Sequence, residues 1–309
     1  KNIRKKIHFN FDISVSEIMS QHTVSETLCF CPKRFFCRRN FFPLGKIFLK
    51  KAARAVQQIV AHRGSSADRP ECTLVALTRA IAVGATASEV DVRRTRDGQL
   101  VILHDKTLDR TTNGRGPIGG LTLAEVKRLD AGSWFDRRYK NERVPTLREV
   151  LEVGGKRIDV LLDLKEQGDD YDRQVVSEVR RYGQPRHIIV GVRSVAQARR
   201  FRKLLPEAKQ LGLIPAPESI EAFVEAGVET IRLWPKWVVA DKSLVGRVHR
   251  LRVGLHLNGT TGQRQEVAGL LVHRPTSLSS DDPGRLVSTL KKLSGASRPR
   301  KKSSQSGKG

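Results

Sequence analysis

Ile59-Val60-Ala61-His62-Arg63-Gly64 is an apolar run that stops abruptly at a histidine, an arginine and a glycine. It reads as a buried strand delivering two polar side chains to its C-terminal end. The pattern recurs in Ala87-Ser88-Glu89-Val90-Asp91-Val92 and again in Val160-Leu161-Leu162-Asp163-Leu164-Lys165. Three strands thus aim charge at one place.

Period 2 gives that charge a geometry. Residues two apart on a strand share a face about 7 Å apart, so Glu89 and Asp91 point together, as do Asp163 and Lys165. On neighbouring strands the three carboxylates crowd one pocket. Each pair at ~4 Å repels by about 4 kcal/mol at an effective dielectric near 20. A hard divalent cation, Mg²⁺ or Ca²⁺, is the simplest compensation, held by Glu89, Asp91 and Asp163.

From residue 56 onward, short β-rich apolar runs alternate with amphipathic stretches, the rhythm of repeated βα units. Strands are expected at Gln58 to His62, Ala87 to Val92, Asp159 to Leu164, His187 to Val192, Lys209 to Ile214, Thr230 to Leu233, Arg252 to Leu257 and Ser277 to Ser280. Helices are expected at Thr73 to Val83, Thr146 to Val153, Tyr171 to Tyr182, Val195 to Leu204, Ser219 to Ala226, Asp241 to Arg250, Gln265 to Leu271 and Asp282 to Leu293. Eight such units predict an α/β fold, a (β/α)₈ TIM-type barrel, with an open doubly wound sheet as the alternative. The long interval between the second and third strands is an insertion, and long excursions after a barrel strand build active sites. It carries Leu100-Val101-Ile102-Leu103-His104-Asp105, whose histidine could be returned toward the barrel mouth.

Charge and cysteine separate the ends from this body. The chain has a formal net charge of +25, of which residues 1–55 supply +9 and residues 291–309, with 7 Lys/Arg and no acid, supply +7. Residues 1–55 also hold eight of the eleven Phe and three of the four Cys. They are read as a basic segment that is poorly ordered or not native, residues 56–293 as the barrel, and 294–309 as a basic disordered tail. Cys29, Cys31 and Cys37 match zinc spacing poorly. No stretch approaches the ~20 apolar residues of a transmembrane helix, and no signal peptide is visible, so a cytoplasmic location is expected. The excess charge leaves room for weak membrane-surface association through the ends. It gives no pointer to a specific nucleic acid.

His62-Arg63-Gly64, Pro70-Glu71, Glu89-x-Asp91 and His104-Asp105, in that order, resemble the glycerophosphodiester phosphodiesterase family. The resemblance continues through Asp109-Arg110-Thr111-Thr112-Asn113-Gly114, Gly132-Ser133-Trp134 and Ser279-Ser280-Asp281-Asp282-Pro283. It implies a barrel hydrolase with one divalent metal, His62 and His104 as the catalytic pair, Glu89 and Asp91 as the first two metal ligands, and Glu71 in support. Two positions depart from the family pattern. The usual Glu-x-Lys of the third strand reads Asp163-x-Lys165, shorter by one methylene, as in the similar sphingomyelinase D type. Cys72 replaces the asparagine that normally follows Pro-Glu, exchanging an amide for a weak donor.

The chemistry agrees with this resemblance. A phosphodiester repels nucleophiles and must expel an alkoxide. A metal would neutralise its oxygens, and Arg63 and Lys165 would add positive charge. Two histidines with ordinary pKa near 6.5 can divide acid and base roles. Trp234 and His256, near the ends of the sixth and seventh strands, are further substrate-contact candidates. The expected reaction is hydrolysis of a small glycerophosphodiester to glycerol 3-phosphate and an alcohol. A phospholipase D- or C-like enzyme on intact lipid and a noncatalytic binder of anionic polymer or membrane are the alternatives.

Overall fold

A computed structural model describes residues 42–295. The readings made on the stretch before residue 42, its three cysteines included, and on the tail beyond residue 295 lie outside the described residues. The chain divides into two compact units, Lys1–Phe48 and Leu49–Gly309. A helix, α1 (Phe42–Ala55), occupies residues that composition groups with the N-terminal segment. Within the second unit its Ala52 and Ala53 are buried, and Arg54 Nε donates to the Ser294 carbonyl.

The strands are β1 (Gln58–Ala61), β2 (Ala87–Arg94), β3 (Leu100–Ile102), β4 (Asp159–Leu164), β5 (Ile188–Val192), β6 (Lys209–Gly212), β7 (Thr230–Leu233), β8 (Gly254–Thr260) and β9 (Ser277–Ser280). Eight are parallel and run in the order β1-β9-β8-β7-β6-β5-β4-β2, and β1 pairs with β2 to close the ring. This is the expected (β/α)₈ barrel. Between the strands lie α2 (Leu74–Val83), α3 (Leu123–Val126), α4 (Leu147–Gly154), α5 (Asp169–Tyr182), α6 (Val195–Leu204), α7 (Ile220–Glu225), α8 (Pro235–Ala240), α9 (Ser243–Arg250), α10 (Arg264–Leu271) and α11 (Pro283–Ser294). Among the described residues, no helix is long and apolar enough to cross a membrane.

Local chemistry sets these boundaries. Thr73 caps α2 by accepting from the Ala76 amide, and Gly84 ends it in the left-handed region. Thr146 and Glu149 form a reciprocal capping box on α4. Five expected strands have other bounds, β2 running on to Arg94 and β5 starting one residue later at Ile188 among them. The first stops at Ala61 because Arg63 and Gly64 turn the backbone at φ 56° and 79°. The fifth in the barrel, β6, is shorter than expected and stops at Gly212. The seventh, β8, starts later and runs on to Thr260, since Arg252 sits at φ 56° with its amide still bonded to the His249 carbonyl. Three helices were not expected: α1 ahead of the first strand, α3 in the insertion, and α8, which Pro235 opens directly after Trp234.

The barrel interior explains where the site lies. Val60, Ala87, Leu161, Ile189, Leu211 and Leu213 pack into one apolar cluster. Two residues further along the same faces come His62, Glu89 and Asp163, so the polar groups sit one step above a dry floor.

The insertion builds a wall beside the barrel mouth with its own core of Val101, Leu103, Leu108, Ile118, Val126, Ala131 and Val144. Its β3 pairs antiparallel with β2, Val92 opposite Ile102, and the Leu103 amide donates to the Asp91 carbonyl at 2.9 Å. That pairing returns His104 to the mouth. Asp130 ties the wall together by accepting from the Gly132, Ser133 and Asn141 amides. Gly132 has no substitute there, because a Cβ would lie 1.8 Å from the Tyr139 carbonyl oxygen.

Candidate active site

Glu89 and Asp91 project from one face of β2, and parallel pairing sets Asp163 of β4 directly beside Asp91. One carboxylate oxygen from each lies within 4.8 Å of the others, and all three residues are buried. Burial, followed by the charge of Asp91, pushes the Glu89 pKa up to about 8. Buried, converging carboxylate oxygens are the donor set of a hard divalent cation, so the cluster fits one.

The protein supplies part of the neutralising charge itself. Lys165 Nζ lies 2.7 Å from both Asp91 Oδ1 and Asp163 Oδ2, so the lysine expected on a phosphate also bridges two acids. Arg193, just past β5, reaches Asp163 with Nη2 at 2.6 Å from Oδ1 and 2.8 Å from Oδ2. Arg63 contributes its backbone amide to Glu89 Oε2 at 2.8 Å, and its Nη1 to Glu71 Oε1 at 2.9 Å.

Each histidine has a carboxylate behind it. His62 Nδ1 lies 2.7 Å from Asp281 Oδ1. The register of β1 on β9 places Ala61 opposite Ser280, and so sets the two next residues side by side. Burial lowers the His62 pKa, but the hydrogen bond to Asp281 and the charges of Glu89 and Asp281 outweigh it and leave it above the ordinary value. His104 Nδ1 lies 2.6 Å from Asp105 Oδ1, and Arg93 Nη2 holds the His104 carbonyl at 2.6 Å. Arg110 donates to Asp105 Oδ2 at 2.6 Å and, with burial opposing, holds that carboxyl down at about 2. In both pairs an ionised carboxylate fixes Nδ1 as the donor and leaves Nε2 free to exchange a proton.

Glu71 joins these parts. It accepts from Arg110 at 2.7 and 2.9 Å and from Arg63 at 2.9 Å. Although burial pushes its pKa up, the two guanidiniums hold it below the ordinary value. The insertion is thereby clamped to the β1 turn.

A cavity of about 240 Å³ opens over the triad, lined by both histidines, Arg63, Lys165 and Trp234 among others. Below it a second cavity of about 40 Å³ reaches the buried His256 and the half-buried Asn258. His256 Nδ1 lies 2.8 Å from Ser277 Oγ, and burial, with Arg232 nearby, pushes its pKa down to about 3. It is a neutral group of the inner chamber, while Trp234 belongs to the outer one. Sequence reading gave no role to Asp105, Arg110, Arg193, Arg232 or Asp281. Asp105, Arg110 and Asp281 carried a signal, their places in the His104-Asp105, Asp109-Arg110 and Ser-Ser-Asp-Asp-Pro runs, whereas Arg193 and Arg232 carried none.

Residues 62–246 match the Glycerophosphoryl diester phosphodiesterase family. The chain is 32% identical over 239 residues to a glycerophosphodiester phosphodiesterase of Caldanaerobacter subterraneus subsp. tengcongensis, covering 76% of this chain and 98% of that one. It resembles the crystal structure of glycerophosphodiester phosphodiesterase from Agrobacterium tumefaciens with a TM-score of 0.65 at 27% identity, over 75% of this chain and 99% of that one. An Oleispira antarctica phosphodiesterase, solved in complex with the product sn-glycerol-3-phosphate, gives a TM-score of 0.64 at 25% identity, over 78% and 99% of the two chains.

Proposed function

We propose, since the chain belongs to the glycerophosphoryl diester phosphodiesterase family, that it hydrolyses glycerophosphodiesters to glycerol 3-phosphate and an alcohol with one divalent cation and two histidines. The observation that carries this reading is convergence. His62 and His104, each backed by a carboxylate on Nδ1, line the same cavity as Asp91 and Asp163.

Glu89, Asp91 and Asp163 would hold the cation, Mg²⁺ or Ca²⁺, which supplies positive charge to the phosphate oxygens. The chain's own residues do the rest. Nε2 of one histidine takes the proton of the glycerol 2-hydroxyl as that oxygen attacks phosphorus. Nε2 of the other gives a proton to the departing alcohol oxygen. The cyclic phosphate so formed is then opened by water with the two roles exchanged, so protons and bonds balance over the cycle. Asp281 and Asp105 hold both rings in the required tautomer, and Arg63 and Lys165 contribute charge at the phosphate.

The test is turnover of glycerophosphocholine by the full chain, read as glycerol 3-phosphate released. Activity that is lost in EDTA, restored by Mg²⁺ or Ca²⁺ and depressed at least a hundredfold by His62→Ala and by His104→Ala supports the reading. Near-normal turnover in either histidine variant would overturn it.

A further inference from the structure

Four cations line the outer cavity, namely Arg63, Lys165, Arg193 and Arg232. Three of them are engaged by carboxylates: Arg63 by Glu71, Lys165 by Asp91 and Asp163, and Arg193 by Asp163. Arg232 makes no ion pair with any carboxylate among the described residues, and its Nε is buried with no hydrogen-bond partner. It still carries its charge. Burial pushes its pKa down to about 10, which leaves it protonated at neutral pH.

The guanidinium is nevertheless held in place. Its central carbon lies 4.1 Å from the centroid of the Trp234 ring, a stacked cation–π contact. Arg232 is also well placed in the barrel. In the closed order of eight parallel strands, β7 stands four strands from β2 in either direction. Arg232 therefore faces the cavity from the wall opposite Glu89 and Asp91, whereas Arg63 and Lys165 follow β1 and β4, the two parallel neighbours of β2. Beside it, Asn258 Oδ1 and Ser279 Oγ are also buried without partners, and both line the inner cavity that Arg232 shares.

A fixed, charged fork whose partner is not a protein carboxylate calls for an anion with two acceptor oxygens. We propose that Arg232, braced by Trp234, is a specificity-determining residue that binds the substrate's phosphate from the side of the barrel opposite Glu89 and Asp91. Asn258 then accepts from a hydroxyl carried by the same ligand. This rests on the glycerophosphodiester reading for the identity of the substrate but not for the anion site itself.

The experiment measures two things on the wild type, Arg232→Gln and Arg232→Lys: binding of inorganic phosphate by calorimetry, and steady-state turnover of glycerophosphocholine. Arg232→Gln is expected to weaken phosphate binding and raise KM at least tenfold while kcat stays within threefold. Arg232→Lys, which keeps the charge and loses the fork, is expected to fall between. Wild-type affinity for phosphate in either folded variant would overturn the proposal. Should the Gln variant fail to fold, the Lys variant decides. Arginine-dependent phosphate binding without turnover would instead overturn the hydrolase reading and leave this one standing.

Discussion

Asp281 Oδ1 lies 2.7 Å from His62 Nδ1 although 219 residues separate the two in the chain, and pairing of the first and last barrel strands makes them neighbours. The carboxylate both orients the ring and, by its hydrogen bond and its charge, keeps the His62 pKa above its ordinary value against the pull of burial. Asp281→Asn removes the charge and keeps the shape. It is expected to lower kcat about a hundredfold and to move the limb of the pH–rate profile that belongs to His62 toward lower pH. A fall in rate with an unmoved profile would mean that Asp281 serves only the fold.

Cys72 occupies a position that suits another residue. Its φ of 58° lies in the left-handed region, which asparagine tolerates far better than cysteine. Its buried thiol makes only a 3.4 Å contact to Asp91 Oδ2. Cys72→Asn, which restores the family residue, is expected to relieve about 1 kcal/mol of backbone strain and raise the melting temperature by roughly 2–4 °C. The amide would also donate to Asp91 more strongly than the thiol. A lower melting temperature in calorimetry would count against this account.

The insertion should fail first in acid. Burial pushes the Asp130 pKa up, but the amides of Asn141, Ser133 and Gly132 outweigh it and hold the carboxyl down at about 2. An unfolded aspartate titrates near 3.9. The stability it contributes is therefore full above roughly pH 4 and lost as the pH falls toward about 2. Asp130→Ala is expected to cost about 2 kcal/mol and to flatten the pH dependence of the melting temperature between pH 4 and 2. The same slope in variant and wild type would exclude the mechanism.

Much of this was written into the strands. Period 2 in Glu89-x-Asp91 and Asp163-x-Lys165 fixes which side chains share the interior, and parallel pairing leaves little freedom in register, so the triad is readable before any coordinates. His104 was readable only as a suspicion, since its place depends on β3 doubling back along β2, a pairing that a three-residue strand does not announce. Asp281, Arg193 and Arg232 were harder still. Asp281 and Arg193 each act on a residue of the neighbouring strand that is far away in sequence, Arg232 is placed by stacking on Trp234 inside the barrel, and each belongs to a residue type that normally ends up solvated. Lys165 shows the converse limit. Its spacing places it at the mouth but does not reveal that it spans Asp91 and Asp163.

The triad also predicts a proton released on metal uptake. Without a cation, burial and the Asp91 charge place the Glu89 pKa at about 8, so at pH 7 that carboxyl is mostly protonated. A cation binds the carboxylate form, so uptake must expel the proton. Affinity for Mg²⁺ or Ca²⁺ should thus climb up to tenfold per pH unit as the pH rises from 6, and level off above about 8. Calorimetry at pH 7 in two buffers of different ionisation heat should register close to one proton released per ion bound, falling toward zero at pH 9. Glu89→Gln removes both the proton and a ligand. It is expected to weaken binding at least a hundredfold and to leave the residual affinity flat from pH 6 to 9. A wild-type affinity that does not change with pH, or heats that do not depend on buffer at pH 7, would show that Glu89 is already ionised and that Lys165 and Arg193 neutralise the cluster more fully than their contacts with Asp91 and Asp163 imply.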